Sequence, residues 1–210
     1  MKRPKFLYFD LGKVLLDFDV EQMVRQLAEV AGADHDRVAA VVFDEGLQER
    51  YESGQISNRE FYETFCERTG LNGNSRPDMD ALLQAGSDIF EINLSMVPVV
   101  AHLREAGYRM GILSNTCDCH WEFCIERYRF LSESFPVHAL SFRIHAAKPS
   151  SAIFHAAAEL AGVDPQDVFF VDDIAGHVAG AKSAGFDAVQ YTSTRELVGE
   201  LWERGIRFNY

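Results

Sequence analysis

The sequence predicts an α/β protein, a doubly wound parallel sheet interrupted by an inserted all-helical segment. Three observations carry this. The short continuous apolar runs Phe6-Leu7-Tyr8-Phe9 and Val168-Phe169-Phe170-Val171 read as strands buried on both faces, where period-two alternation is lost. From residue 97 onward strand and helix patterns alternate, which implies right-handed crossovers and helices on both faces of a parallel sheet. In between, roughly seventy residues show helical spacing and no convincing strand. The expected division is residues 1–18 and 93–210 for the α/β core and 19–92 for the helical insertion.

Each element has its own local signal. Val20, Met23, Val24, Leu27, Ala28 and Val30 recur close to helical spacing, and Gly32 stops them. A helix over 36–43 and beyond follows, and 45–52 is polar with Leu47 and Tyr51 four apart. Ser57 with Glu60 is a capping box ahead of Phe61, Phe65 and Thr69, and Gly70 ends that helix. Residues 72–77 form a loop by composition and 79–90 a helix. A helix over 97–106 precedes a strand at 109–113 that delivers Ser114 and Asn115. Next come a helix over 120–130, a short buried strand at 136–142 and a helix over 150–161 ended by Gly162. A strand at 167–171 delivers Asp172 and Asp173. A helix at 177–184, a strand at 188–191 and a helix at 194–204 complete the chain.

Composition narrows the function. The 210 residues include 32 acidic and 20 basic side chains, a formal charge of −12. That excess repels nucleic acid, and the basic residues form no patch. The basic start, Met1-Lys2-Arg3-Pro4-Lys5, lacks the apolar length of a signal peptide, and no segment has the roughly 20 apolar residues of a membrane span. A cytoplasmic location with reduced thiols is therefore expected for Cys66, Cys117, Cys119 and Cys124. Cys117, Cys119, His120 and Cys124 lack the paired Cys-x-x-Cys knuckles of structural zinc sites, so the three cysteines are read as thiols on a loop and the following helix.

Three strands end in polar groups: Asp10, then Ser114 with Asn115, then Asp172 with Asp173. In a parallel sheet those carboxyl ends share one edge, where ligands bind. Lys148, in a Lys-Pro pair, follows the strand near Ala139. Each group alone reads as a turn, a helix cap or a surface lysine, but their joint order points to chemistry. Paired carboxylates suit Mg²⁺, which prefers oxygen ligands and keeps waters for a phosphate. A serine hydroxyl and a lysine ammonium suit phosphate oxygens, and the lysine would keep Asp10 ionised and nucleophilic.

The order Asp10, Ser114, Lys148, Asp172-Asp173 resembles the haloacid dehalogenase (HAD) superfamily along essentially the whole chain. Phe9-Asp10-Leu11-Gly12, Leu113-Ser114-Asn115-Thr116, Lys148-Pro149 and Phe169-Phe170-Val171-Asp172-Asp173 are similar to its bacterial α-D-glucose-1-phosphate phosphatases. The resemblance implies a Rossmann-like core with 19–92 as the cap domain. It implies a Mg²⁺-dependent phosphomonoesterase of small phosphorylated metabolites, sugar 1-phosphates among them. Asp10 would form an aspartyl-phosphate, Ser114 would hold phosphoryl oxygens with Asn115 beside it, and Lys148 would neutralise charge. Asp173 would bind Mg²⁺ directly with Asp10, Asp172 would stand close behind, and the Gly12 carbonyl would supply a main-chain oxygen.

Two positions depart from the common pattern. Most family phosphatases carry an acid–base aspartate two residues after the nucleophile, where this chain has Gly12; His177 or Asp17 could supply the proton instead. His177 itself stands where many relatives have asparagine or aspartate. Two other readings compete: a metal-free 2-haloacid dehalogenase, disfavoured because the acid pair would repel a carboxylate substrate, and a catalytically silent binding module. Oligomeric state is not readable from the residues.

Overall fold

The computed structural model describes residues 3–208. Five strands form one fully parallel sheet: β1 (Phe6–Phe9), β4 (Met110–Ser114), β5 (Val137–Leu140), β6 (Val168–Asp172) and β7 (Asp187–Gln190), in the order β5-β4-β1-β6-β7. A further pair, β2 (Leu16–Phe18) and β3 (Phe90–Ile92), is antiparallel and separate from it. The first strand of the chain is thus the middle of the sheet, and all its residues are buried. Successive side chains leave a strand on opposite faces, which divides the core in two. Leu7, Phe9, Ile112, Phe169 and Val171 belong to one cluster, and Phe6, Tyr8, Leu113, Val168 and Phe170 to the other.

The second face is covered by helices Ser151–Ala161 and Ala175–Ser183, through Ile153, Phe154, Ala157, Val178 and Ala181. The first is covered by Met96–Glu105 and Asp118–Arg127 through Val99, Leu103, Trp121 and Cys124. This cluster continues without a break into Met23, Leu27, Phe61 and Phe65 of the inserted helices, so insertion and sheet share one core.

The insertion comprises helices Val20–Ala31, His35–Ala39, Leu47–Glu52, Asn58–Arg68 and Met79–Ser87. The Ser57–Glu60 capping box forms with both of its reciprocal bonds. The helix expected over 36–43 changes at Ala40 into a π-helical turn, Ala40–Asp44. The helix expected over 79–90 ends at Ser87, because Phe90 pairs with Phe18 across β2 and β3, their rings 6.0 Å apart. Two chain segments distant in sequence are thereby clipped together where the insertion leaves and rejoins the sheet. The strand expected over 136–142 stops at Leu140, and Ser141–Ile144 forms a helical turn. No helix among the described residues is long and apolar enough to cross a membrane.

Candidate active site

Parallel pairing of β4, β1 and β6 brings Ser114, Asp10 and Asp172 to one edge. The backbone N–H of Asp10 donates to the Val171 carbonyl at 2.9 Å, continuing the ladder one residue past β1. Its side chain turns back to accept from the Leu11 N–H at 2.7 Å.

Lys148 joins the two acids. Its Nζ lies 2.8 Å from Asp10 Oδ2 and 2.6 Å from Asp172 Oδ2, and also donates to the Leu113 carbonyl at 3.2 Å. The lysine side chain is wholly inaccessible to solvent, so these contacts act at low dielectric. Asn115 holds the lysine backbone at both polar atoms, accepting from the Lys148 N–H at 2.8 Å and donating to the Lys148 carbonyl at 3.1 Å. Asn115 therefore positions the lysine. Ser141 fixes the adjoining loop, its Oγ accepting from the Thr116 N–H at 2.9 Å.

The acids differ in environment. Burial pushes the Asp10 carboxyl up to about 6, with the Asp172 charge adding to it and Lys148 and Ser114 opposing. Burial acts to raise Asp172 too, but hydrogen bonds with His177, Lys148 and the Ile174 N–H outweigh it and hold that carboxyl down at about 2. His177 Nδ1 lies 3.1 and 3.2 Å from the two Asp172 oxygens; a carboxylate only accepts, so Nδ1 carries the proton. Asp173 is half-buried and its carboxyl is raised by burial and by the Asp172 charge.

Asp10, Asp172 and His177 place one ligand-type atom each within 4.8 Å of one another. Asp173 stands outside that group, although the family resemblance makes it the direct ligand, and the oxygens of Asp172 are already engaged by Lys148, His177 and the Ile174 N–H. Three carboxylates face one ammonium here, a balance that favours a hard cation before any phosphate dianion enters. The Gly12 carbonyl, which accepts no hydrogen bond among the described residues, is a further oxygen of the right kind.

Gly12 is glycine for reasons of space. A Cβ there would come 2.7 Å from the Phe18 ring, so the phenylalanine of β2 occupies the volume an acid would need. Gly12, Phe18 and Phe90, with Ser114, Asn115 and Gln48, line a cavity of about 100 Å³ beside the turn that follows Asp10. Glu52 also lines it, half-buried, its Oε1 accepting from Gln48 Nε2 at 2.8 Å and its carboxyl raised by burial. Asp17 lies on a separate cleft and the Nδ1–H of His177 is spent on Asp172, so neither proton source named from sequence lines this cavity. Sequence reasoning did not find Glu52, which lies in a polar helix with nothing to set it apart from Glu49.

A model of haloacid dehalogenase-like hydrolases matches residues 5–185. The chain belongs to that family. Among HAD relatives, the D-ribitol-5-phosphate phosphatase of Bacteroides thetaiotaomicron is 27% identical over 195 residues, covering 89% of this chain and 91% of that protein. A HAD family enzyme from Bacteroides thetaiotaomicron, solved in complex with magnesium and inorganic phosphate, superposes with a TM-score of 0.76 at 27% identity, covering 89% and 93% of the two chains. An L-2-haloacid dehalogenase from Xanthobacter autotrophicus shares the fold, with a TM-score of 0.63 at 21% identity and coverage of 97% and 84%.

Proposed function

We propose that this HAD hydrolase is a Mg²⁺-dependent phosphomonoesterase acting on small sugar or polyol phosphates, with residues 19–92 serving as its cap. The observation that carries the reading is the solvent-free Lys148 ammonium bridging Asp10 and Asp172, behind the Leu11-Gly12 and Ser114-Asn115 segments that line the cavity. Lys148 keeps Asp10 ionised, and one Asp10 oxygen attacks phosphorus to give an aspartyl-phosphate as the alcohol oxygen leaves. Ser114 and the backbone around it hold the phosphoryl oxygens. Asp10, Asp173 and the Gly12 carbonyl would hold Mg²⁺, with Asp172 behind them as the anchor of Lys148 and His177. When bound, Mg²⁺ offsets negative charge on the transferring phosphoryl group. Glu52 holds its proton to higher pH than an ordinary glutamate and is the proton donor to the leaving oxygen. The similarity to a ribitol-5-phosphate phosphatase supports a polyol or sugar phosphate as substrate, and the motif resemblance to glucose-1-phosphate phosphatases adds anomeric phosphates to the panel.

Turnover of 4-nitrophenyl phosphate tests the reading. Wild type should be active with Mg²⁺ and silent in chelator, Asp10→Asn should fall below about one part in a thousand, and Asp173→Asn should raise the Mg²⁺ requirement more than Asp172→Asn. Activity retained in Asp10→Asn, or a Mg²⁺ titration unchanged in Asp173→Asn, would overturn the respective role.

A further inference from the structure

Beside the same cavity, which His120 also lines, a second cluster of ligand-type side chains lies where the inserted helices meet the sheet domain. Cys117 precedes helix Asp118–Arg127, while Cys119 and His120 occupy its first turn. Their two sulfurs and one imidazole nitrogen all lie within 4.8 Å of one another. Sequence spacing argued against a four-ligand structural zinc knuckle, but a three-ligand site needs no such pairing. We propose that Cys117, Cys119 and His120 form a binding site for one thiophilic d¹⁰ cation, zinc being the probe of choice, at the seam between insertion and core.

The geometry suits such an ion. Cys117 and Cys119 Sγ are 3.8 Å apart. Two zinc–sulfur bonds of about 2.3 Å at the tetrahedral angle place sulfurs about 3.8 Å apart, whereas a disulfide needs about 2.05 Å. His120 Nε2 lies 3.1 Å from the Gly86 carbonyl, which can only accept, so Nε2 bears the hydrogen and Nδ1 keeps the lone pair. A metal-binding histidine ordinarily donates its other ring N–H to just such a carbonyl, which fixes tautomer and ring orientation in advance. Soft sulfur with one imidazole selects zinc or copper(I) over Mg²⁺. On binding, each thiol proton passes to solvent as sulfur bonds the ion; no electron changes hands. The approach is suitable too: Cys119 opens on a surface groove lined also by Asp80, Glu122 and Glu126 against the single cation Arg127, a net negative charge that draws cations inward. Three protein ligands leave a fourth position for water.

The site spans two parts of the molecule. Gly86, Gln48 and Tyr51 belong to the insertion: Gln48 Nε2 approaches Cys117 Sγ at 3.9 Å, and the Tyr51 hydroxyl accepts from the Cys119 N–H at 3.4 Å. An ion held there fixes the core helix in the position from which it grips these groups.

Cobalt(II) and zinc titrations of the reduced full chain, with Mg²⁺ in excess to fill the carboxylate site, test this. One equivalent of cobalt should produce thiolate-to-metal charge-transfer absorption that zinc abolishes. Cys119→Ala, at a partly exposed position outside the catalytic set, should remove the absorption and weaken zinc binding by no less than the roughly 10–100-fold typical of losing even an outer partner. Cys66→Ala should change neither. Absence of thiolate absorption in the wild type, zinc affinity unchanged in Cys119→Ala, or a Cys117–Cys119 disulfide formed in place of metal uptake would overturn the proposal.

Discussion

Lys148 touches two carboxylates with a side chain that meets no water, and this alters what its removal should do. A lysine at the rim of a site would affect turnover and leave the fold nearly unchanged. Here its loss strands Asp10 and Asp172 as facing negative charges, and breaking a buried pair by removing one partner costs about 3–5 kcal/mol. Lys148→Met, which keeps the apolar stem, should therefore lose activity and stability together, as read by denaturant unfolding at pH 7. The stability loss should shrink as the pH is lowered, since protonating the stranded acids removes the repulsion; a loss independent of pH would mean the lysine contributes packing alone. Glu52 is a residue-scale case of opposite sign. Its folded pKa is raised, so its contribution to stability is present below the unfolded value and is lost as pH rises through the folded one. Its service as a proton donor follows the same course. Glu52→Gln should cost alkyl phosphates about 10²–10⁴-fold in kcat/KM while 4-nitrophenyl phosphate, with its good leaving group, loses less than about tenfold. The variant should also lack the basic limb of the alkyl-phosphate pH profile. Equal losses on both substrates would exclude Glu52 as the acid.

At the scale of elements, what could be read from the residues was what short-range chemistry encodes. β1, β4 and β6 announce themselves because both faces are buried and their runs are unbroken by polar residues until Asp10, Ser114 and Asp172. The Ser57–Glu60 cap is likewise local, two reciprocal bonds within one turn. The β2–β3 clip is not: each strand has three residues, and its partner lies beyond the whole insertion. The convergence of Cys117, Cys119 and His120 on Gln48, Tyr51 and Gly86 is illegible for the same reason, being a product of how the insertion packs. Nor does the sequence say why residue 12 is glycine, since only the fold brings the Phe18 ring to it. That contact makes Gly12→Asp a test of β2. Restoring an acid there must displace the ring, and overpacking of this kind typically costs about 1–3 kcal/mol. Gly12→Asp with Phe18→Leu should recover part of that loss in a denaturant-unfolding double-mutant cycle. Additive penalties would show that the ring yields freely.

For the molecule as a whole, the charge distribution sets how a phosphate ester arrives. The net charge is −12, while the cationic groups at the site are a buried ammonium and whatever ion the carboxylates hold. A monoester dianion therefore diffuses against a repulsive far field and meets attraction only within the cavity. The screening length shrinks from about 30 Å at 0.01 M salt to about 10 Å at 0.1 M, so added salt should remove far-field repulsion before it weakens short contacts inside the site. With Mg²⁺ held saturating, kcat/KM for a dianionic substrate should rise with sodium chloride over that range, and kcat, which reports events after capture, should stay level. An uncharged competitive inhibitor should show no such dependence in its Ki. A kcat/KM that falls with salt would mean that the positive potential of the metal and Lys148 reaches past the cavity mouth and outweighs the acidic surface in guiding the substrate.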